Sequence, residues 1–202
     1  MRRIHKSVPI FLVISILLAS LFFLLKGEQR FIAFSEQLTQ VASLGKSRSK
    51  NFEVPIRLTF VGDIMLSRTI GKILEEKGSW SHYFVDVSDY FKKADISFAN
   101  LESPVSGRGI KVGSIYSFRS NPQSLNGLRD AGISVVSIAN NHIWDYGREA
   151  FLDTLSYLSE AGIDYVGGGK DYRDAHQPVI RHVRDTKIAY LAYTNLLPST
   201  LF

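Results

Sequence analysis

The sequence predicts an α/β fold with a mostly parallel central sheet and a C-terminal hairpin, preceded by one N-terminal transmembrane helix. Three observations predict it. From Glu53 onward, short apolar β-rich runs alternate with helical stretches, as βαβ units do. Three of these runs end in polar motifs: Val-Gly-Asp-Ile-Met (61–65), Ala-Asn-Leu-Glu-Ser (99–103) and Ala-Asn-Asn-His-Ile-Trp-Asp-Tyr-Gly (139–147). Near the N-terminus, Val8 to Leu25 runs 18 residues without a charge.

The elements follow in order. The first strand is expected at Ile56–Val61. A helix over Arg68–Lys77 places Ile70, Ile73 and Leu74 on one side and stops at Gly78. Trp80–Lys93 reads as a second helical segment, with Phe84, Val87, Tyr90 and Phe91 facing inward. Strand two is Asp95–Ala99. Arg108–Arg119 is a looser segment with a short β-like piece at Ile115–Phe118. Asn121-Pro122 opens a helix that runs through Arg129, and Ala131-Gly132 ends it. Strand three, Ile133–Ala139, is apolar on both faces, as a covered parallel strand should be. Arg148–Glu160 is an amphipathic helix burying Leu152, Leu155 and Leu158, followed by strand four at Ile163–Val166. Val179–Val183 and Lys187–Tyr193 flank Arg184-Asp185-Thr186 as a hairpin.

The N-terminal region is a separate device. At about 1.5 Å per residue, the apolar run spans roughly 27 Å, close to a bilayer's hydrocarbon core. A cleaved signal peptide has a shorter apolar region and a small-residue cleavage site. Here the run continues through Leu25 into Lys26, which favours an uncleaved signal-anchor. Arg2, Arg3 and Lys6 precede it and argue for a cytoplasmic N-terminus. The expected division is 1–26 stub and anchor, 27–52 polar basic tether, and 53–202 domain. The domain would then face the periplasm or the cell exterior.

Net charge is +5, but it is unevenly placed. Residues 1–52 hold eight Lys/Arg and two Asp/Glu, giving +6; the remainder holds 16 and 17, giving −1. The basic excess therefore sits beside the membrane's anionic surface, and no basic patch is left for nucleic acid. There are no cysteines, which excludes disulfides, thiolate ligands and a cysteine nucleophile.

In an open α/β sheet, ligands collect at the carboxyl ends of parallel strands. That would bring Asp63, Asn100, Glu102, Asn141 and His142 to one rim. Carboxylate, amide oxygen and imidazole form a ligand set suited to a divalent metal. Asn100 and Glu102, two apart on an extended chain, point the same way. Asp145, three residues after His142, either orients its imidazole as an acceptor or caps the helix beginning near Arg148. Asn140 is placed to hold the loop. The bland readings are a turn or cap at Asp63, an N-cap and first-turn acid at 100–102, and a structural histidine. His82, His176 and His182 lie off the rim. Gly167-Gly168-Gly169 lacks the Gly-Lys-Ser/Thr of a phosphate loop. Ser67 and Ser103 have no base at a recognisable spacing.

The three motifs, in this order and spacing, resemble the poly-γ-glutamate capsule synthesis family (CapA type), related in fold to the calcineurin-like metallophosphatases. The match covers roughly Arg57 to Asn195. The resemblance implies part of a metallophosphatase-like αββα sandwich. It implies that Asp63 is the first-strand acid that binds metal. Glu102, with Asn100 beside it, takes the position of a bridging carboxylate. Asn141 would bind metal, and His142 would contact the substrate oxyanion or protonate a leaving group. One or two divalent ions (Mn, Fe or Zn) follow from it, in relatives roughly 3.5–4 Å apart. So do a bilayer, an anionic polymer and the subunits of a polyglutamate synthesis and export complex as partners. The family's later histidine motifs, including a Gly-His pair, do not recur after His142. The chain is therefore expected to be the N-terminal portion of the family's domain, with an incomplete two-metal site. Two functions are expected: a membrane-anchored metal-dependent hydrolase or transferase, or a non-catalytic accessory subunit.

Overall fold

Four strands lie side by side in chain order, all parallel: β1 (Leu58–Ile64), β2 (Ile96–Leu101), β3 (Val135–Ser137) and β4 (Asp164–Val166). The computed structural model describes residues 54–112 and 114–196. The expected anchor and tether lie outside the described residues. Among the described residues, no helix is long and apolar enough to cross a membrane.

Sequential parallel order with right-handed crossovers puts every connecting helix on the same face of the sheet. The packing agrees. Leu74 of α1 (Arg68–Lys77), Phe91 of α2 (Ser88–Lys92), Leu128 of α3 (Ser124–Ala131), and Phe151, Leu155 and Leu158 of α4 (Gly147–Glu160) share one core with Ala99, Leu101, Val136 and Ile138 of the sheet region. Side chains of opposite parity in the same strands, Ile96, Phe98, Val135 and Val166, form a second core. It is closed by the antiparallel hairpin β5 (Val179–Val183) and β6 (Thr186–Tyr190), through Val179, Val183, Ile188 and Tyr190. Phe98 and Tyr190 stack with ring centroids 5.2 Å apart. A one-turn α5 (Tyr172–Ala175) links β4 to the hairpin.

Several expectations hold closely. α1 has the expected bounds, and α1 and α3 end on Gly78 and Gly132 at φ 61° and 97°, the left-handed C-cap that glycine adopts without a Cβ clash. Others are corrected. Trp80–Lys93 is not one helix: it breaks into a 3₁₀ turn at His82–Phe84 and the short α2. Val85 and Val87 are β-branched and lie among serines, a poor helix-forming run. Only Phe84 and Phe91 of the four expected inner residues are buried; Val87 and Tyr90 are exposed. The β-like piece at Ile115–Phe118 forms no strand; this region contributes an isolated parallel bridge between Val105 and Ser120. Strand three is only three residues long, although Ile133 and Ile138 beyond its ends are buried. Strand one runs on through Asp63, with a register shift between Phe60 and Asp63. Among the described residues, β1 pairs with β2 alone and forms one edge of the sheet.

The loop after β2 is tied to α4 by charge. Arg108 pairs with Asp153, which also accepts from Ser106 Oγ at 2.6 Å, and with Glu149 at 2.7 Å. The hydrogen bond from Arg108, then that from Ser106, holds the Asp153 carboxyl below its ordinary value of 3.8 against the cost of burial. A carboxyl depressed in the folded state stabilises the fold above its unfolded value, and that stability disappears as pH falls through the folded one. Asp153→Asn is therefore expected to lower the melting temperature at neutral pH and to flatten its decline below about pH 4. Thermal melts across pH 2–7 check this; an unchanged acid limb would refute it.

Candidate functional site

Strand register assembles the rim. Asp63 of β1 is the partner of Asn100 in β2, and Asn100 is the partner of Ser137 at the end of β3. The Asn100 amide nitrogen donates to Asp63 Oδ1 at 2.8 Å and to Glu102 Oε2 at 2.7 Å. Its amide oxygen accepts from Asn140 Nδ2 at 3.0 Å. That fixes the amide's orientation: Asn100 presents its nitrogen to both carboxylates and holds them side by side.

Asn140, nearly buried, carries the third motif onto the second. Its nitrogen also donates to the Leu101 carbonyl at 2.8 Å, and its oxygen accepts from the backbone N–H of His142 and Ile143 at 2.9 and 3.0 Å. The expected loop-holding role of Asn140 is thus performed by its side chain, without left-handed backbone.

His142 stands beside Glu102. Its Nδ1 lies 2.8 Å from Asp145 Oδ2, and its Nε2 lies 3.6 Å from Glu102 Oε1. A carboxylate at Nδ1 favours a proton on that nitrogen and turns Nε2 toward the rim. Of the two roles open to Asp145, the structure places its side chain on the imidazole; α4 has no side-chain N-cap bond. Asp145 Oδ2 also accepts the Phe118 backbone N–H at 2.7 Å. The Phe118 ring packs on the imidazole, centroids 4.3 Å apart.

Burial, and then the neighbouring Asp63 charge, push the Glu102 carboxyl above its ordinary value, opposed by His142 and the Asn100 hydrogen bond. Two acids are thus held close with their mutual repulsion only partly relieved. An open cleft of about 700 Å³ runs past them, lined by Asp63, Glu102 and Asn141 and by the segment Tyr193 to Leu196. Among the described residues, no three His, Asp or Glu side chains converge closely enough to cage an ion by themselves.

All five rim residues therefore meet: Asp63, Asn100 and Glu102 through hydrogen bonds, His142 against Glu102, and Asn141 in the cleft wall. His82, His176 and His182 are exposed and lie outside it. Sequence reasoning missed Phe118 and the Tyr193–Leu196 wall. Phe118 sits in a segment without periodicity, and the wall follows the hairpin with only Thr194 and Asn195, and no acid or histidine, to mark it.

Asp145→Ala should leave the part-buried Phe118 N–H without its acceptor and cost about 1–3 kcal/mol of stability. It should also turn the single imidazole tautomer into a mixture, read from the ¹⁵N shifts of His142. A single retained tautomer would show that Asp145 does not orient the ring.

Fold and site together define a parallel α/β domain with an acid–amide–imidazole rim at the carboxyl ends of its strands. Residues 57–200 match the model of the bacterial capsule synthesis protein PGA_cap, and the chain belongs to that family. It is 31% identical over 144 residues to the capsule biosynthesis protein CapA of Bacillus anthracis, covering 69% of this chain and 35% of that protein. It is 33% identical over 141 residues to the PGA biosynthesis protein CapA of Bacillus subtilis (strain 168), covering 68% and 37%. A probable polyglutamine synthesis accessory protein of Mycobacterium tuberculosis is 26% identical over 152 residues, covering 59% and 40%. The aligned part thus spans about a third of the length of the two Bacillus proteins.

Proposed function

We propose that this chain is a membrane-anchored capsule biosynthesis protein whose rim binds a divalent cation and acts by hydrolysis or transfer on a γ-glutamyl polymer or its linkage. One observation carries the reading: two carboxylates, Asp63 and Glu102, are held against a single amide nitrogen with an imidazole nitrogen alongside. Family membership supports the capsule role, and the Bacillus relatives' names supply the polymer. The apolar run 8–25 supports single-pass anchoring in the cell membrane, with the domain outside the cytoplasm.

The donor chemistry fits one hard or borderline ion such as manganese, iron or zinc. Asp63, Glu102 and Asn141 would hold it, with His142 Nε2 beside them. Asn100, its oxygen committed to Asn140, keeps the two acids together instead of ligating. When bound, the ion supplies Lewis-acid polarisation of the carbonyl or phosphoryl oxygen under attack. The residues do the rest. Asp145 fixes the imidazole, and His142 Nε2 takes a proton from the attacking hydroxyl or returns one to the leaving group. The Tyr193–Leu196 wall positions the polymer along the cleft. The related fold reading is part of a metallophosphatase-like αββα sandwich, supported by the helix layer and the parallel sheet.

A second reading is favoured by the absence of a three-donor cage among the described residues and by the accessory protein among the relatives: a non-catalytic subunit of a polyglutamate synthesis and export complex, with the rim binding polymer. Metal analysis of the purified full chain after manganese loading, with an assay of γ-glutamyl polymer length, separates the two. About one equivalent of retained metal with polymer shortening or transfer supports the enzyme. Polymer binding with no metal and no turnover supports the accessory subunit.

A further inference from the structure

Arg68 lies three residues beyond the first rim motif and has an unusual backbone. Its φ is 55°, in the left-handed region that a bulky L-residue enters only at a cost on the order of 1 kcal/mol. Such a residue persists where its surroundings over-determine it. Here they do. Leu66 and Ser67 are buried, and the Leu66 carbonyl approaches α1 so closely that a Cβ on Gly71 would meet its oxygen at 2.9 Å. The chain turns this crowded corner at Arg68 and throws the side chain outward, where it is exposed.

That side chain lies over the ring of Phe118, 5.6 Å from its centroid. Phe118 in turn packs on His142 and is tied by its N–H to the acid that holds the imidazole. The guanidinium therefore stands on a platform locked to the rim. Two other arginines of this region are committed. Arg108 binds Asp153 and Glu149, and Arg119 stacks on Tyr146 and donates to the Arg108 carbonyl. Among the described residues, Arg68 enters no ion pair. Its five donors suit a planar, bidentate oxyanion.

Building on the proposed reaction site, we infer that Arg68 is a substrate-binding residue that captures an oxyanion beside His142. The oxyanion is either the free carboxylate of a γ-linked glutamyl unit or a phosphoryl group. In both cases the guanidinium would neutralise a group that the rim carboxylates repel, and would set which unit of a repeating polymer lies against His142.

The test compares wild type, Arg68→Gly and Arg68→Lys as the full chain, loaded with manganese, by calorimetry with a γ-glutamyl oligomer and with inorganic phosphate. Glycine tolerates the positive φ, so Arg68→Gly should keep or raise the melting temperature. It should retain metal like wild type, yet bind the responsive probe at least about tenfold more weakly. Arg68→Lys, a point charge without the fork, should recover only part of the loss. Loss with the oligomer alone assigns a carboxylate; loss with phosphate alone assigns a phosphoryl group. Unchanged binding of both probes by Arg68→Gly, or no binding of either by wild type, overturns the inference. Metal retained by wild type and lost on changing Asp63 would leave the metal reading standing in that case. Conversely, Arg68-dependent oligomer binding by a chain that takes up no metal would sustain the inference and end the hydrolase reading.

Discussion

Asp63→Ala is expected to abolish retention of a divalent ion and to reduce any turnover by more than about 100-fold, beyond the 10–100-fold typical of changing a group that only supports a ligand. The carboxylate stands at the head of the rim, fixed by the Asn100 amide at 2.8 Å and open to the cleft. Glu102 is then the single charged donor, and with one imidazole and one neutral amide it holds a dication far more weakly. Stability should not follow activity. Asp63 is exposed and repels Glu102, so the metal-free variant should melt at or slightly above the wild-type temperature. Asp63→Asn separates the parts: it keeps an acceptor for Asn100 and removes the charge. Metal content by elemental analysis, alongside melting curves without metal, reads both effects. Equal metal content in wild type and Asp63→Ala would mean that the ion, if any, sits elsewhere.

Leu128→Ala should unfold the domain far more readily without touching the rim. Leu128 lies in the middle of α3, fully inaccessible, within the core between the helix layer and the sheet. Truncating a buried leucine costs about 2–5 kcal/mol, the transfer energy of the lost atoms plus the cavity left behind. Against a total of about 5–15 kcal/mol, that is a large share. The urea midpoint should fall with an unchanged slope. Val87→Ala provides the contrast. Val87 is 40% exposed, and its loss should stay within about 0.5 kcal/mol. A similar midpoint shift for both variants would show that the helix layer contributes little.

Helical periodicity marks where sequence reading succeeds. Leu155 and Leu158 fall on a helical face whose period is plain, and both are buried, while Leu152 of the same expected face is half-buried. Val87 and Tyr90 fell on an apparent face too. The serines and β-branched residues around them do not sustain a helix long enough to have one. The rim was legible because polar triplets after apolar runs are hard to explain otherwise, and parallel strands place such triplets at one edge. What each group does there was less legible. Asn100 read as an oxygen ligand, yet its oxygen is taken by Asn140, 40 residues away, and its nitrogen serves the acids. Phe118 and Arg68 acquire meaning only from contacts across the fold. No local pattern encodes which way an amide turns or which ring lies under a guanidinium.

The irregularity in the first strand reaches further than its size suggests. Between the partners of Phe98 and Asn100, β1 spends three steps where β2 spends two. Side chains alternate from one side of a strand to the other, so an unbroken ladder in register with Phe60 would aim the Asp63 carboxylate at the oily layer of helices. The single surplus residue turns it outward to meet its companions. Spacing, and not only chemistry, makes that aspartate available: a one-residue deletion at 61–62 would straighten the ladder and still leave the aspartate opposite Asn100, whereas a regular ladder over the present length would hide it.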